Sequence, residues 1–167
     1  MSVLELFISP GKYISGYDNI SKLGIEINKL GNKPMLLIDK NIEKIVEIGI
    51  KSIKSFGEVE ITYFNGECTF DETNRITKLM IEKGCDVIVG FGGGKTMDTA
   101  KASGYDAKVK IATVPTIAAT CAAWASHSAM YTPEGIAHSY YSIYKNADLV
   151  FMDKKIKYCR RLPLAKW

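Results

Sequence analysis

The sequence predicts an α/β fold, a parallel sheet with helices laid against it. Two observations carry that expectation: short runs of branched apolar residues alternate with helical stripes through the first two thirds of the chain, and a cluster of glycines separates one such run from the stripe that follows it. The chain has 167 residues, 47% apolar and 24% charged, which is enough to bury one core without disulfides or a structural metal.

Each element follows from local pattern. Ile20, Leu23, Ile27 and Leu30 recur at helical spacing behind Asp18 or Asn19 as cap, and Gly31 with Pro34 stops the helix. Met35 to Ile38 reads as a short buried strand. The stripe Ile42, Ile45, Val46, Gly49, Ile50, Ile53 and Phe56 predicts a second helix ending at Gly57, and Val59, Ile61 and Tyr63 alternate as a strand. Thr69 to Glu72 has the spacing of a capping box for a helix that buries Ile76, Leu79 and Met80 and stops at Gly84. Asp86 to Phe91 is the next strand, followed by a helix through Met97, Ala100 and Lys101. Lys110 to Val114, Tyr140 to Tyr144 and Leu149 to Met152 read as further strands. Lys154 to Trp167 is basic and shows no clear period.

Several function classes are excluded early. With 22 basic and 18 acidic residues the net charge is +4, too mild and too interspersed for a nucleic-acid binder. The longest weakly polar stretch, Ala112 to Tyr131, holds too many hydroxyls to span a membrane. Cys68, Cys85, Cys121 and Cys159 are widely spaced, with no CxxC pair and no secretory signal, so free thiols in the cytoplasm are expected. His127 and His138 have no acid or cysteine at metal-ligand spacing. Ser126-His127-Ser128 is no evidence for a hydrolase, because a triad is defined in space.

The glycine cluster is the most informative local feature. Gly90-Phe91-Gly92-Gly93-Gly94-Lys95-Thr96 lies between a strand and a helix, where backbone N–H groups at a helix N-terminus face an anion. A P-loop requires a glycine where Val89 stands, and the dinucleotide fingerprint requires one where Lys95 stands, so neither template fits. Asp39 closes an earlier strand, either as a turn or cap residue or as an acid for a ribose hydroxyl. Pro115 to Gly135 is rich in small and hydroxylated residues, suited either to close approach of a ligand or to tight packing.

Gly92-Gly93-Gly94-Lys95-Thr96-Met97-Asp98-Thr99-Ala100-Lys101, with Val114-Pro115-Thr116-Ile117-Ala118-Ala119-Thr120 and Tyr131-Thr132-Pro133-Glu134-Gly135, resembles the glycerol dehydrogenase branch of the iron-containing alcohol dehydrogenase superfamily. The resemblance implies a Rossmann-like nucleotide domain over residues 1–153, with 154–167 as the truncated start of a helical metal-binding domain. It implies an NAD(P)-dependent oxidoreductase of CH–OH groups, with NAD as cofactor and NADP allowed, a small-molecule substrate, no nucleic-acid or membrane partner, and a homo-oligomer allowed. By position it assigns the cofactor to Asp39, Gly92, Gly93, Gly94, Lys95, Asp98, Thr116, Ala119, Ala125, His127 and Tyr131. Ala119 and Ala125 replace residues that are commonly hydroxylated in the family.

The resemblance also marks departures. Glycerol dehydrogenases carry Thr-Asp-Ala where this chain has Thr120-Cys121-Ala122, which makes Cys121 the substrate-facing candidate and brings the segment nearer to hydroxycarboxylate dehydrogenases acting on 2-oxo acids. Family members hold zinc or iron through an aspartate in a Gly-Ile-Gly-Asp stretch and two later histidines. Here Arg160-Arg161-Leu162-Pro163-Leu164 runs directly into Ala165-Lys166-Trp167, so the metal ligands are expected to be missing, no catalytic residue is assigned, and the chain reads as a truncated member that does not turn over alone. A P-loop-like NTP binder and a non-catalytic binding module are the alternatives.

Overall fold

The computed structural model describes residues 7–118 and 120–159. Strands and helices alternate: β1 (Tyr13–Gly16), a 3-10 turn (Ile20–Lys22) running into α1 (Leu23–Asn28), β2 (Pro34–Ile38), α2 (Glu43–Lys54), β3 (Glu60–Tyr63), α3 (Phe70–Lys83), β4 (Val87–Gly92), α4 (Gly94–Asp106) and β5 (Lys110–Pro115). A hairpin of β6 (His127–Tyr131) and β7 (Ala137–Ser142) follows, then β8 (Leu149–Asp153) and α5 (Lys154–Cys159).

Six strands form one parallel sheet in the order β1-β8-β5-β4-β2-β3, and β6 and β7 pair antiparallel as a separate ribbon. Side chains of the central strands alternate between two cores, as the period of two requires. Leu36, Ile38, Val87, Val89 and Phe91 meet Leu23, Ile27, Val46 and Ile50 on one face. Met35, Leu37 and Ile88 meet Ile76, Met80, Met97 and Ala100 on the other. Thus α1 and α2 cover one side and α3 and α4 the other. Strands buried on both faces explain why Met35 to Ile38 and Val87 to Val89 are apolar throughout.

Several boundaries differ from the sequence reading. Neither Asp18 nor Asn19 caps the first helix with its side chain; Asp153, buried at the end of β8, accepts from the Ile20 amide at 2.8 Å and from the Asp18 amide at 3.1 Å. Such a cap comes from a strand more than a hundred residues later, which local pattern does not register. The capping box is half made: Thr69 Oγ1 accepts from the Glu72 amide at 3.1 Å, while the Glu72 carboxylate turns to Asn65 and Arg75. Gly84 does close α3, at φ +64°. The strand expected at Tyr140 to Tyr144 lies earlier, because the tight turn at Gly135 (φ +82°) sets its register against β6. Residues 127–131, given no element by the sequence pattern, are β6, and Lys154 to Cys159, without a clear period, is helical. Residues 160–167 lie outside the described residues.

Candidate cofactor and substrate cleft

In the sheet, β2 leads outward to β3 while β4 leads the other way to β5, so the carboxyl ends of β2 and β4 flank a switch point, the place where open α/β sheets bind ligands. Asp39 and the glycine turn meet there. The Asp39 amide donates to Phe91 O at 3.2 Å, one residue before Gly92, so the acid that precedes the glycines by some fifty positions stands beside them in space. Asp39 Oδ1 accepts from the Asn41 amide at 2.9 Å, the cap role weighed above, and its carboxylate is only half-buried.

The turn itself is tighter than the sequence suggests. Gly92 is the last residue of β4 and Gly94 the first of α4, leaving Gly93 alone between them at φ −86°, an ordinary value for any residue. The glycines are required by close approach. A Cβ at Gly90 would lie 2.7 Å from Ala100 Cβ and one at Gly92 2.5 Å from Thr96 Oγ1, so α4 packs directly on β4. On the open side, a Cβ at Gly93 would come within 3.1 Å of Ile117 and one at Gly94 within 3.3 Å of Thr120. The first amides of α4 have no intrahelical acceptor, and Gly94 and Lys95 line the cleft in front of the helix.

A cleft of ≈ 380 Å³ opens in front of α4, and Gly94, Lys95, Asp98, Ala125, His127 and Tyr131 all line it with Cys121. The fold therefore gathers most of the assigned set into one place. Thr116 stands at the end of β5, fully buried, with its Oγ1 unpartnered. Ala119 lies outside the described residues. Cys121 is an exposed free thiol, whereas Cys68 is buried and its thiol is pushed up to about 11, chiefly by desolvation. His127 is exposed and meets Tyr140 edge-to-face at 5.3 Å.

Two residues behind the cleft escaped the sequence reading. Lys101 is completely buried, with Nζ bonded to Ala125 O (3.0 Å), His127 O (2.6 Å) and Asp98 Oδ1 (2.9 Å). Burial pulls this ammonium down and pushes the Asp98 carboxyl up, and their mutual attraction opposes both shifts. Asp98 also accepts from the Ala129 amide at 3.3 Å, so it braces β6 from below as well as lining the cleft. The Asp98/Lys101 spacing of three on a helix was the available signal. The second is Glu67, which pairs with Lys95; nothing in its sequence neighbourhood announces that contact.

Whether a dinucleotide fits is answered by the cleft lined by Gly94 and Lys95, the unpartnered Thr116 hydroxyl and the first α4 amides, which have no intrahelical acceptor: the residues present suit a pyrophosphate-bearing ligand. No such fit exists for a metal, since among the described residues no three His, Cys, Asp or Glu side chains converge. No helix among them is long and apolar enough to cross a membrane.

A family model described as iron-containing alcohol dehydrogenase matches residues 10–154. Glycerol dehydrogenase of Thermotoga maritima is 39% identical over 151 residues, covering 89% of this chain and 41% of that protein. Hydroxycarboxylate dehydrogenase A of Escherichia coli is 38% identical over 91 residues, 53% of this chain and 24% of that protein. The crystal structure of a probable glycerol dehydrogenase from Sinorhizobium meliloti 1021 superimposes with a TM-score of 0.85 at 34% identity, over 92% of this chain and 42% of that one. The chain thus spans about two fifths of the length of such relatives. These likenesses give no support to a P-loop-like NTP binder or a non-catalytic module.

Proposed function

The chain belongs to the iron-containing alcohol dehydrogenase family, and from that premise we propose that it forms the NAD(H)-binding half of an oxidoreductase acting on CH–OH groups. The observation that carries this reading is the meeting of Asp39 with the glycine turn at the switch point of the sheet, with Lys95, in the first turn of α4, lining the cleft that opens in front of that helix. The α4 amides and the Lys95 ammonium hold the pyrophosphate, Asp39 accepts from a ribose hydroxyl, and Thr116, Ala125, His127 and Tyr131 line the rest. When bound, the nicotinamide supplies the hydride chemistry. The protein's own part is to orient that ring along the cleft and to present a substrate-facing wall at Cys121.

That wall favours a 2-oxo or 2-hydroxy acid over a polyol. By the family resemblance Cys121 takes the place of an aspartate of glycerol dehydrogenases, and a neutral group there spares an anionic substrate a like-charge contact. NADH titration tests the cofactor reading: Lys95→Ala is expected to weaken binding several-fold, about 1–2 kcal/mol for a lost charged contact. Equal affinity in the two proteins refutes it. For the substrate class, saturation-transfer NMR on the NADH-loaded chain should favour 2-oxobutanoate over glycerol, and Cys121→Asp should invert the order; an unchanged order counts against Cys121.

A further inference from the structure

The Lys95 ammonium that a pyrophosphate would recruit already has a partner inside the protein. Glu67, in the loop between β3 and α3, accepts from Lys95 Nζ through Oε1 at 2.7 Å, and its Oε2 lies 2.6 Å from the same nitrogen. Among the described residues no other hydrogen-bond donor reaches this carboxylate, and Oε2 is buried. Backbone contacts hold Glu67 in place. Its carbonyl accepts from the Thr69 amide at 3.0 Å, and the next residue, Cys68, accepts from the Tyr131 amide at 2.8 Å. The hairpin turn closes over it, since a Cβ at Gly135 would lie 3.2 Å from Oε1. The nearby acid Glu72 is already engaged by Arg75 and Asn65 and offers Lys95 nothing. Lys95, by contrast, rides a flexible stem in the first turn of α4, 37% exposed, with its ammonium 4.5 Å from the centre of the Tyr131 ring.

We propose that Glu67 is the internal counter-ion of the cofactor cleft: it parks Lys95 over Tyr131 in the ligand-free protein, and a dinucleotide binds by drawing the ammonium from it onto the pyrophosphate. The proposal rests on the reading that the pyrophosphate sits at the glycine turn. The exchange is feasible because a partly exposed ion pair is worth little. It is not free, because the Glu67 carboxylate stays fixed and partly buried while phosphate charge arrives beside it. Glu67 is therefore a positioning residue. It lowers the affinity for every phosphate-bearing nucleotide and leaves that for an uncharged nucleoside untouched.

The test is equilibrium binding of NADH and of adenosine to wild type, Glu67→Gln, Lys95→Ala and the double variant, with thermal melts to confirm folding and Glu67→Ala as a second charge-free variant. Glu67→Gln should bind NADH roughly three- to fivefold more tightly, with adenosine unchanged, and most of that gain should vanish in the Lys95→Ala background. Unchanged or weaker NADH binding by both Glu67 variants, in a protein whose Lys95→Ala form does lose affinity, overturns the counter-ion role and leaves the cofactor site standing. A parallel change for adenosine overturns it too, because it marks a merely structural effect. Equal NADH affinity in wild type and Lys95→Ala removes the cofactor site and this role together.

Discussion

At the scale of single residues, the cleft is a contest between charges that are free to meet a ligand and charges already spent. Asp39 Oδ1 accepts from the Asn41 amide and side chain, whereas Lys95 is held in an ion pair by Glu67. An acid at the ribose position accepts from a 2′-OH and repels a 2′-phosphate, so the wild type should prefer NADH to NADPH. Asp39→Ser is expected to move that preference toward NADPH by about tenfold, ~1.4 kcal/mol, in competition binding. Tighter NADPH than NADH binding by the wild type would contradict the assignment. The places of Asp39, directly after β2, and Lys95, in the first turn of α4, were legible in the sequence because each stands beside a turn signal. Glu67 was not, since its partner lies 28 residues away and only the packing of α3 beside α4 brings the two together.

At the scale of elements, α4 does two jobs, and its buried face shows how. Its first turn lines the cleft through Gly94 and Lys95, while Asp98 and Lys101 one turn later fasten β6 and the segment before it. A buried lysine with three acceptors is tolerated only because every donor is used. Lys101→Met leaves Asp98 Oδ1 without its ammonium and two carbonyls without a donor, and should cost about 3–5 kcal/mol in urea unfolding. Loss of less than about 1 kcal/mol would show that the pair is relaxed by water. Helices α1 to α4 were legible from their stripes, and β2, β4 and β5 from their apolar runs, whereas α5 was not. The hairpin was not, because β6 pairs small and hydroxylated residues with β7 and its inward side is fixed by Lys101 and by Ser128 bonding Asp98 O, contacts that leave no period in the sequence.

At the scale of the whole molecule, the parallel sheet accounts for the placement of the site, and its charged rim for its response to acid. Hydrogen bonds from Lys12 and Lys29 hold the Glu26 carboxyl below its ordinary value; for Glu72 and Asp148 burial opposes ionisation but hydrogen bonds from Arg75 and Asn65, and from the Ile111 amide and Lys110, outweigh it. Each ionises more readily folded than unfolded, so each contributes stability that is present above the ordinary carboxylate values of 4.5 for Glu and 3.8 for Asp and is lost as pH falls through the lowered folded values. Asp98, raised by burial, acts in the opposite sense. Urea midpoints should therefore drop below about pH 4.5, and Glu72→Gln should flatten that drop; an equal drop in the variant would remove Glu72 from the account. Strand order was not legible: alternation announces a parallel sheet, but that β2 neighbours β4, which sets Asp39 against the glycine turn, follows from which edge each crossover takes. The central claim is that a dinucleotide lies across that β2/β4 switch point, and backbone amide NMR during an NADH titration tests it most directly. A dinucleotide there gives saturable shifts concentrated at Asp39 to Asn41 and Gly92 to Thr96, spreading to His127 to Tyr131. Shifts confined to other surfaces, or none at saturating NADH, would contradict it.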